Sequence, residues 1–177
     1  WNRYEEDIKL AAKLGCNAFR FSIAWSRVQT KDGFIEEAFN HYEKLIDKII
    51  KCHMEPVLTL HHFTWPIHVG PCGMIGKKFP EIFEEYVTKV AERFAEYVPY
   101  WITFNEPNLL IGGYLNPWMD GNYAAPPGLD LGTPLDKQME YVGMLIRNLF
   151  LSHRRAYDVI KAKNDHAKVG VNQYCYG

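Results

Sequence analysis

Glu106 closes the apolar run Tyr100–Phe104 and stands between Asn105 and Pro107. Partial desolvation disfavours the charged form of a carboxyl group, and a general acid working near neutral pH needs that property. On the residues alone a structural reading stands beside the chemical one: Glu106 caps the next loop or pairs with a cation such as Arg20. Arg20 lies inside the apolar run Ala18–Ile23. An unpaired buried guanidinium is costly, so the sequence predicts a carboxylate partner for it, catalytic or structural. His61 and His62 end a third apolar run. A neutral histidine offers one donor and one acceptor to a sugar hydroxyl. The same pair equally suits satisfied residues at a polar strand end, and no third ligand stands at a spacing that would make a metal site. Trp101, Phe104, Tyr114, Trp118 and Tyr123 crowd the region around Glu106, either to stack on sugar faces or as plain core.

The elements that must position these residues alternate. Helical stripes run through Tyr4, Ile8, Ala11 and Ala12, and through Phe39, Tyr42, Ile46, Ile49 and Ile50. A third stripe holds Phe83, Tyr86, Val87, Val90, Ala91, Phe94, Ala95 and Val98. A fourth holds Met139, Val142, Ile146, Leu149, Phe150, Ala156, Tyr157 and Ile160, with Thr133 predicted as its N-cap and Pro134 as its first residue. Between the stripes lie short strand-like runs at 18–23, 56–61, 101–105 and 168–172. The order α-β-α-β-α-β-α-β predicts an α/β fold of parallel βαβ units. Three of the four runs end in polar and aromatic residues: Trp25, Ser26 and Arg27; His61 to Pro66; Asn105 to Pro107. Chemistry in parallel α/β folds collects at the carboxyl ends of strands.

Composition narrows the function classes. The 177 residues carry 20 Lys plus Arg against 21 Asp plus Glu, a net charge of −1, and are 47% hydrophobic. That balance fits a globular chain and argues against a polybasic nucleic-acid binder. No run of about 18 apolar residues is present to cross a membrane. Nucleotide-binding glycine motifs and a Gly-x-Ser-x-Gly elbow are missing, so no cofactor is expected. Cys16, Cys52, Cys72 and Cys175 are far apart with no CxxC pair. They are expected to be free, mostly buried thiols, which favours a reducing, cytoplasmic setting. The opening WNRYEED does not read as a signal peptide. No linker or charge block divides the chain, so residues 1–177 are expected to form one unit.

Taken in order, RYEEDIKLAAKLGCNAFRFSIAWSR, EPVLTLHHFTWP, YWITFNEPN and, more weakly, AYDVIKAKNDHAKVGV resemble the glycoside hydrolase family 1 β-glycosidases. The resemblance covers nearly the whole chain. It implies part of a (β/α)8 TIM barrel, about four βα units corresponding to the family's second to fifth strands, and retaining hydrolysis of β-glucosides or related β-glycosides. By motif position Glu106 resembles the general acid/base and Asn105 the ligand of the sugar 2-hydroxyl. His62 resembles the histidine that holds the glycone, and Arg20 the arginine that pairs with the catalytic nucleophile. The implied partner is a β-glycoside or oligosaccharide, with no metal or cofactor.

The departures from the family pattern shape the alternatives. A complete barrel takes about 250 residues. The family's nucleophile, a glutamate in a Glu-Asn-Gly context on the seventh strand, has no counterpart here, nor has the glutamine near its first strand. Phe63 stands where many members carry Trp, Trp65 replaces a common Leu, and GPCGMIGKK replaces a Gly-Gly-Trp loop. The expectation is therefore a partial chain of a longer enzyme. The alternative is a truncated, catalytically inactive barrel that binds sugar or serves as an interaction module. Such a half barrel exposes strand edges and would self-associate or recruit a complementary half. A third option is another (β/α)8 glycosidase family with Asn-Glu at the end of its fourth strand.

Overall fold

The computed structural model describes residues 1–70, 73–115 and 133–175. Helix α1 (Tyr4–Lys13) opens with Glu5, Glu6 and Asp7 and closes with Lys13, each charge opposing the helix dipole at its end. Gly15, at φ +81°, turns the chain into strand β1 (Ala18–Ser22). The short helix α2 (Trp25–Val28) and an antiparallel ribbon, β2 (Gln29–Thr30) with β3 (Gly33–Phe34), follow. Helix α3 (Glu36–Lys51) leads to β4 (Glu55–His61), and α4 (Phe79–Phe94), with Pro80 in its first turn, leads to β5 (Tyr100–Asn105). Helix α5 (Pro107–Leu115), the 29-residue α6 (Leu135–Lys163) and β6 (Lys168–Asn172) complete the chain order.

Strands β1, β4, β5 and β6 form one parallel sheet in that order. This is an open sheet, not a closed barrel, and the expected parallel α/β class holds. The short α2 and the β2–β3 ribbon interrupt the simple alternation, and α5 begins directly after Glu106. Helix α6 takes Pro134 as its N-cap, without a side-chain bond, so the expected cap at Thr133 is displaced by one residue.

The core lies between the sheet and the helices. All eight residues of the α4 stripe, Phe83 to Val98, are buried. Trp25 stacks on Tyr86 at 4.6 Å between ring centroids, and Phe83 stacks on Phe104 at 4.8 Å. Trp25 thus belongs to the core, its indole N–H donating to Gln29 at 2.6 Å, rather than to a polar cluster after β1. Arg93 ties α4 to Glu43 of α3, and Arg155 ties α6 to Glu81 and Glu84 of α4.

The other stripes are less completely covered. Ile50 is exposed, as are Met139, Phe150 and Tyr157 of α6; Phe150 is 72% exposed. The expectation of mostly buried thiols also fails among the described residues: Cys16 and Cys175 are exposed and Cys52 is half-buried, all three free. Cys72 lies outside the described residues. Among the described residues no helix is long and apolar enough to cross a membrane.

Candidate active site

The four sheet strands each send one polar side chain to a common point. From β1, Arg20 Nε donates to Thr59 Oγ1 of β4 at 2.9 Å. Its Nη2 donates to Asn105 Oδ1 of β5 at 2.6 Å and to Asn172 Oδ1 of β6 at 3.0 Å. Arg20 was expected to be buried against a carboxylate. It is instead exposed on the open face of the sheet, and it forms no ion pair among the described residues.

A local irregularity aims Asn105 at Arg20. Strand alternation would put Thr103 and Asn105 on the same face. Thr103 Oγ1 instead meets His153 Nδ1 of α6 at 2.8 Å, while Asn105 meets Arg20 of β1. Three steps on β5, Ile102 to Asn105, oppose two on β6, Gly170 to Asn172. The extra β5 residue is a bulge, a device that redirects a side chain at a strand end.

Glu106, the next residue, is half-buried and has φ +46°. A non-glycine residue in that region carries roughly 1–3 kcal/mol of strain and needs its surroundings to hold it. Its N–H donates to Asn172 O at 2.9 Å, and its carbonyl accepts the Leu109 N–H at 2.9 Å as α5 begins. Phe63, just after His62, is the equivalent outlier past β4, at φ +65°. Of the three non-glycine residues at positive φ among the described residues, these two fall where candidate site residues leave the sheet, and the third, His53, lies in the turn before β4.

His62 reaches the same open face, its Nδ1 2.9 Å from Ser22 Oγ. Partial desolvation, and next the positive charge of Arg20, lower its pKa, while the Glu106 carboxylate pulls the other way. His61 faces the opposite side. It is fully buried between Trp65, at 6.2 Å, and Phe104, at 5.5 Å, with neither ring nitrogen bonded. Burial, helped by the neighbouring His62, lowers its pKa to about 3 and keeps it neutral. Burial among these rings, not its charge state, keeps His61 from a sugar or a metal in this structure. Among the described residues no three His, Cys, Asp or Glu side chains gather as a metal site.

The loop after β4 is pinned behind His61. Trp65 Nε1 donates to Gly70 O at 3.3 Å, and a Cβ on Gly73 would collide with the Trp65 ring. Among the aromatics around Glu106, Trp101 and Phe104 are core residues, and the Trp101 indole donates to Val98 O at 2.8 Å. The Tyr114 side chain, Trp118 and Tyr123 lie outside the described residues.

The structure thus brings Arg20, His62, Asn105 and Glu106 together at the carboxyl end of the sheet. Sequence reasoning missed Ser22, Thr59 and Asn172. Ser22 was legible by parity, two residues past Arg20 on the same strand face. Asn172 was legible by analogy, since it ends VGVN as Asn105 ends WITFN.

Comparison with known proteins identifies the family of the chain. A family model described as glycosyl hydrolase family 1 matches residues 1–175. The chain is 38% identical over 116 residues to an aryl-phospho-beta-D-glucosidase of Bacillus subtilis (strain 168), covering 63% of this chain and 25% of that protein. It is 33% identical to a 6-phospho-beta-galactosidase of Staphylococcus epidermidis, covering 97% of this chain and 34% of the relative. The family 1 beta-glucosidase from Thermotoga maritima superposes with a TM-score of 0.80 at 28% identity, over 96% of this chain and 36% of that one. The chain therefore spans 25% and 34% of the length of those two curated relatives. With four parallel strands, a shared polar cluster at their carboxyl ends and a family match from the first residue to the last described one, the chain belongs to glycosyl hydrolase family 1.

Proposed function

We propose that this chain contributes to a retaining β-glycosidase that hydrolyses O-glycosidic bonds of β-glucosides or related β-glycosides, with Glu106 as general acid/base. The observation that carries the reading is the Arg20 network. Four strands hold a guanidinium that forms no ion pair among the described residues, near a carboxyl group on a strained turn. Such a cation suits a second carboxylate, the nucleophile, which on this reading comes from outside these 177 residues. In a retaining site the two carboxyl groups stand about 5–5.5 Å apart.

The chemistry assigns each residue a step. Glu106 gives its proton to the glycosidic oxygen as the nucleophile bonds to the anomeric carbon and the bond to the aglycone breaks. The alcohol departs. Glu106, now a carboxylate, takes a proton from water as the water oxygen attacks the same carbon and frees the nucleophile. Asn105, its Oδ1 occupied by Arg20, turns its amide N–H groups to the sugar 2-hydroxyl. His62, held by Ser22 at Nδ1, offers Nε2 to the glycone. Neither step requires a metal or an organic cofactor. The free thiols of Cys16, Cys52 and Cys175 fit a reducing, cytoplasmic setting.

The test is the stereochemistry of the first product. The protein that carries this sequence, at its natural length, should release β-glucose from an aryl β-glucoside before mutarotation, read by proton NMR. Release of the α-anomer first, or no turnover, would contradict the reading.

A further inference from the structure

Asn108 stands two residues after Glu106, in the first turn of α5. Its side chain grips the backbone of Tyr174 at two points: Nδ2 donates to Tyr174 O at 2.7 Å, and Oδ1 accepts the Tyr174 N–H at 3.0 Å. Tyr174 lies two residues beyond Asn172, where β6 ends. Asn172 is itself committed twice, its carbonyl to the Glu106 N–H at 2.9 Å and its side chain to Arg20 at 3.0 Å. The short segment after β6 is thus stitched to the Glu106 turn on both sides of Glu106, and to the Arg20 cluster as well.

This stitching has a reason in the backbone. Glu106 holds a left-handed conformation, at φ +46°, that its surroundings must impose. An exposed asparagine spending donor and acceptor on one backbone residue contributes nothing to the core, yet it fixes the strand that faces Glu106. We infer that Asn108 is a positioning residue for the acid/base: by holding Tyr174 it keeps the Asn172 carbonyl on the Glu106 amide and so sets the reach of the Glu106 carboxyl group. The inference rests on the glycosidase reading, and it adds a residue that touches neither sugar nor reacting atoms.

The role predicts a dependence on the leaving group. Methanol needs a proton to depart from methyl β-glucoside, whereas dinitrophenolate leaves 2,4-dinitrophenyl β-glucoside without one. In the protein at its natural length, Asn108→Ala should lower kcat/KM about tenfold or more for the methyl glucoside. The dinitrophenyl glucoside should change by no more than about twofold, since its departure needs no general acid. Both rates are taken on one preparation, so an unfolded fraction cancels in their ratio. As a second readout, amide hydrogen exchange in Asn108→Ala should quicken at both Tyr174 and Glu106. Equal losses on the two substrates, no loss on either, or faster exchange at Tyr174 alone would overturn the positioning role while leaving the glycosidase reading intact. A wild-type protein that hydrolyses neither substrate would sink that reading and this inference together.

Discussion

His61 and His62 are neighbours in sequence and opposites in setting. His61 turns toward the helices, into the aromatic layer of Phe104, Phe83 and Trp65, where neither ring nitrogen finds a partner. His62 turns to the open face and joins Ser22, Arg20 and Glu106. The contrast extends to the sheet as a whole. Its helix-facing side is mostly apolar and closely packed, with Thr103 bonded to His153 of α6, and its other side carries polar groups held by hydrogen bonds from all four strands. A residue's chemical type says what it can do; the face it occupies decides whether it does it.

Substitutions on the two faces should therefore fail in different ways. The larger effect is expected on the open face. Arg20→Lys keeps the charge but loses the planar fork that reaches Thr59, Asn105 and Asn172. Misplacing the groups it aligns should cost about 10²-fold in kcat/KM. The thermal midpoint should move far less, because Arg20 belongs to the polar cluster and not to the apolar core. Steady-state kinetics beside a melting curve would separate the two quantities, and unaltered kinetics would break the distinction between the faces.

The smaller effect belongs to His61. Its pKa falls to about 3 in the folded chain, so below the ordinary value of 6.5 the unfolded chain binds a proton that the folded chain refuses. The stability associated with a neutral His61 is complete above about pH 6.5 and is lost as pH falls toward 3, by up to about 1.4 kcal/mol per pH unit. His61→Phe removes this slope and two unpartnered buried nitrogens. Denaturation midpoints at pH 7 and pH 5 should lie closer together in the variant than in the wild type. An equal separation would mean that His61 takes up its proton in the folded state.

Much of the fold was legible because period and punctuation agreed. The strands at 18–22, 55–61, 100–105 and 168–172 depart from the predicted runs by at most one residue at either end. The α4 stripe is buried throughout. Helix α6 has the same periodicity, yet Met139, Phe150 and Tyr157 are exposed. Period reveals which face is apolar; the chain that packs against it decides whether that face is covered.

The candidate site was legible in part for a related reason. Glu106, Asn105, His62 and Arg20 stood out as polar residues in or after apolar runs. The bulge that turns Asn105 toward Arg20, and the three neutral acceptors around the guanidinium, depend on register between strands far apart in sequence. The carboxylate that the sequence predicts beside Arg20 is not among the described residues, where the partners of Arg20 are the neutral side chains of Thr59, Asn105 and Asn172.

The role of Glu106 as general acid is decided by the hydrolysis of methyl β-glucoside by the protein at its natural length and by its Glu106→Gln variant. An amide of nearly the same shape preserves the turn but has no acidic proton to give. Glu106→Gln should lower the rate by about 10³-fold, within the range that general acid catalysis supplies. Equal rates in the two proteins would remove Glu106 from the mechanism.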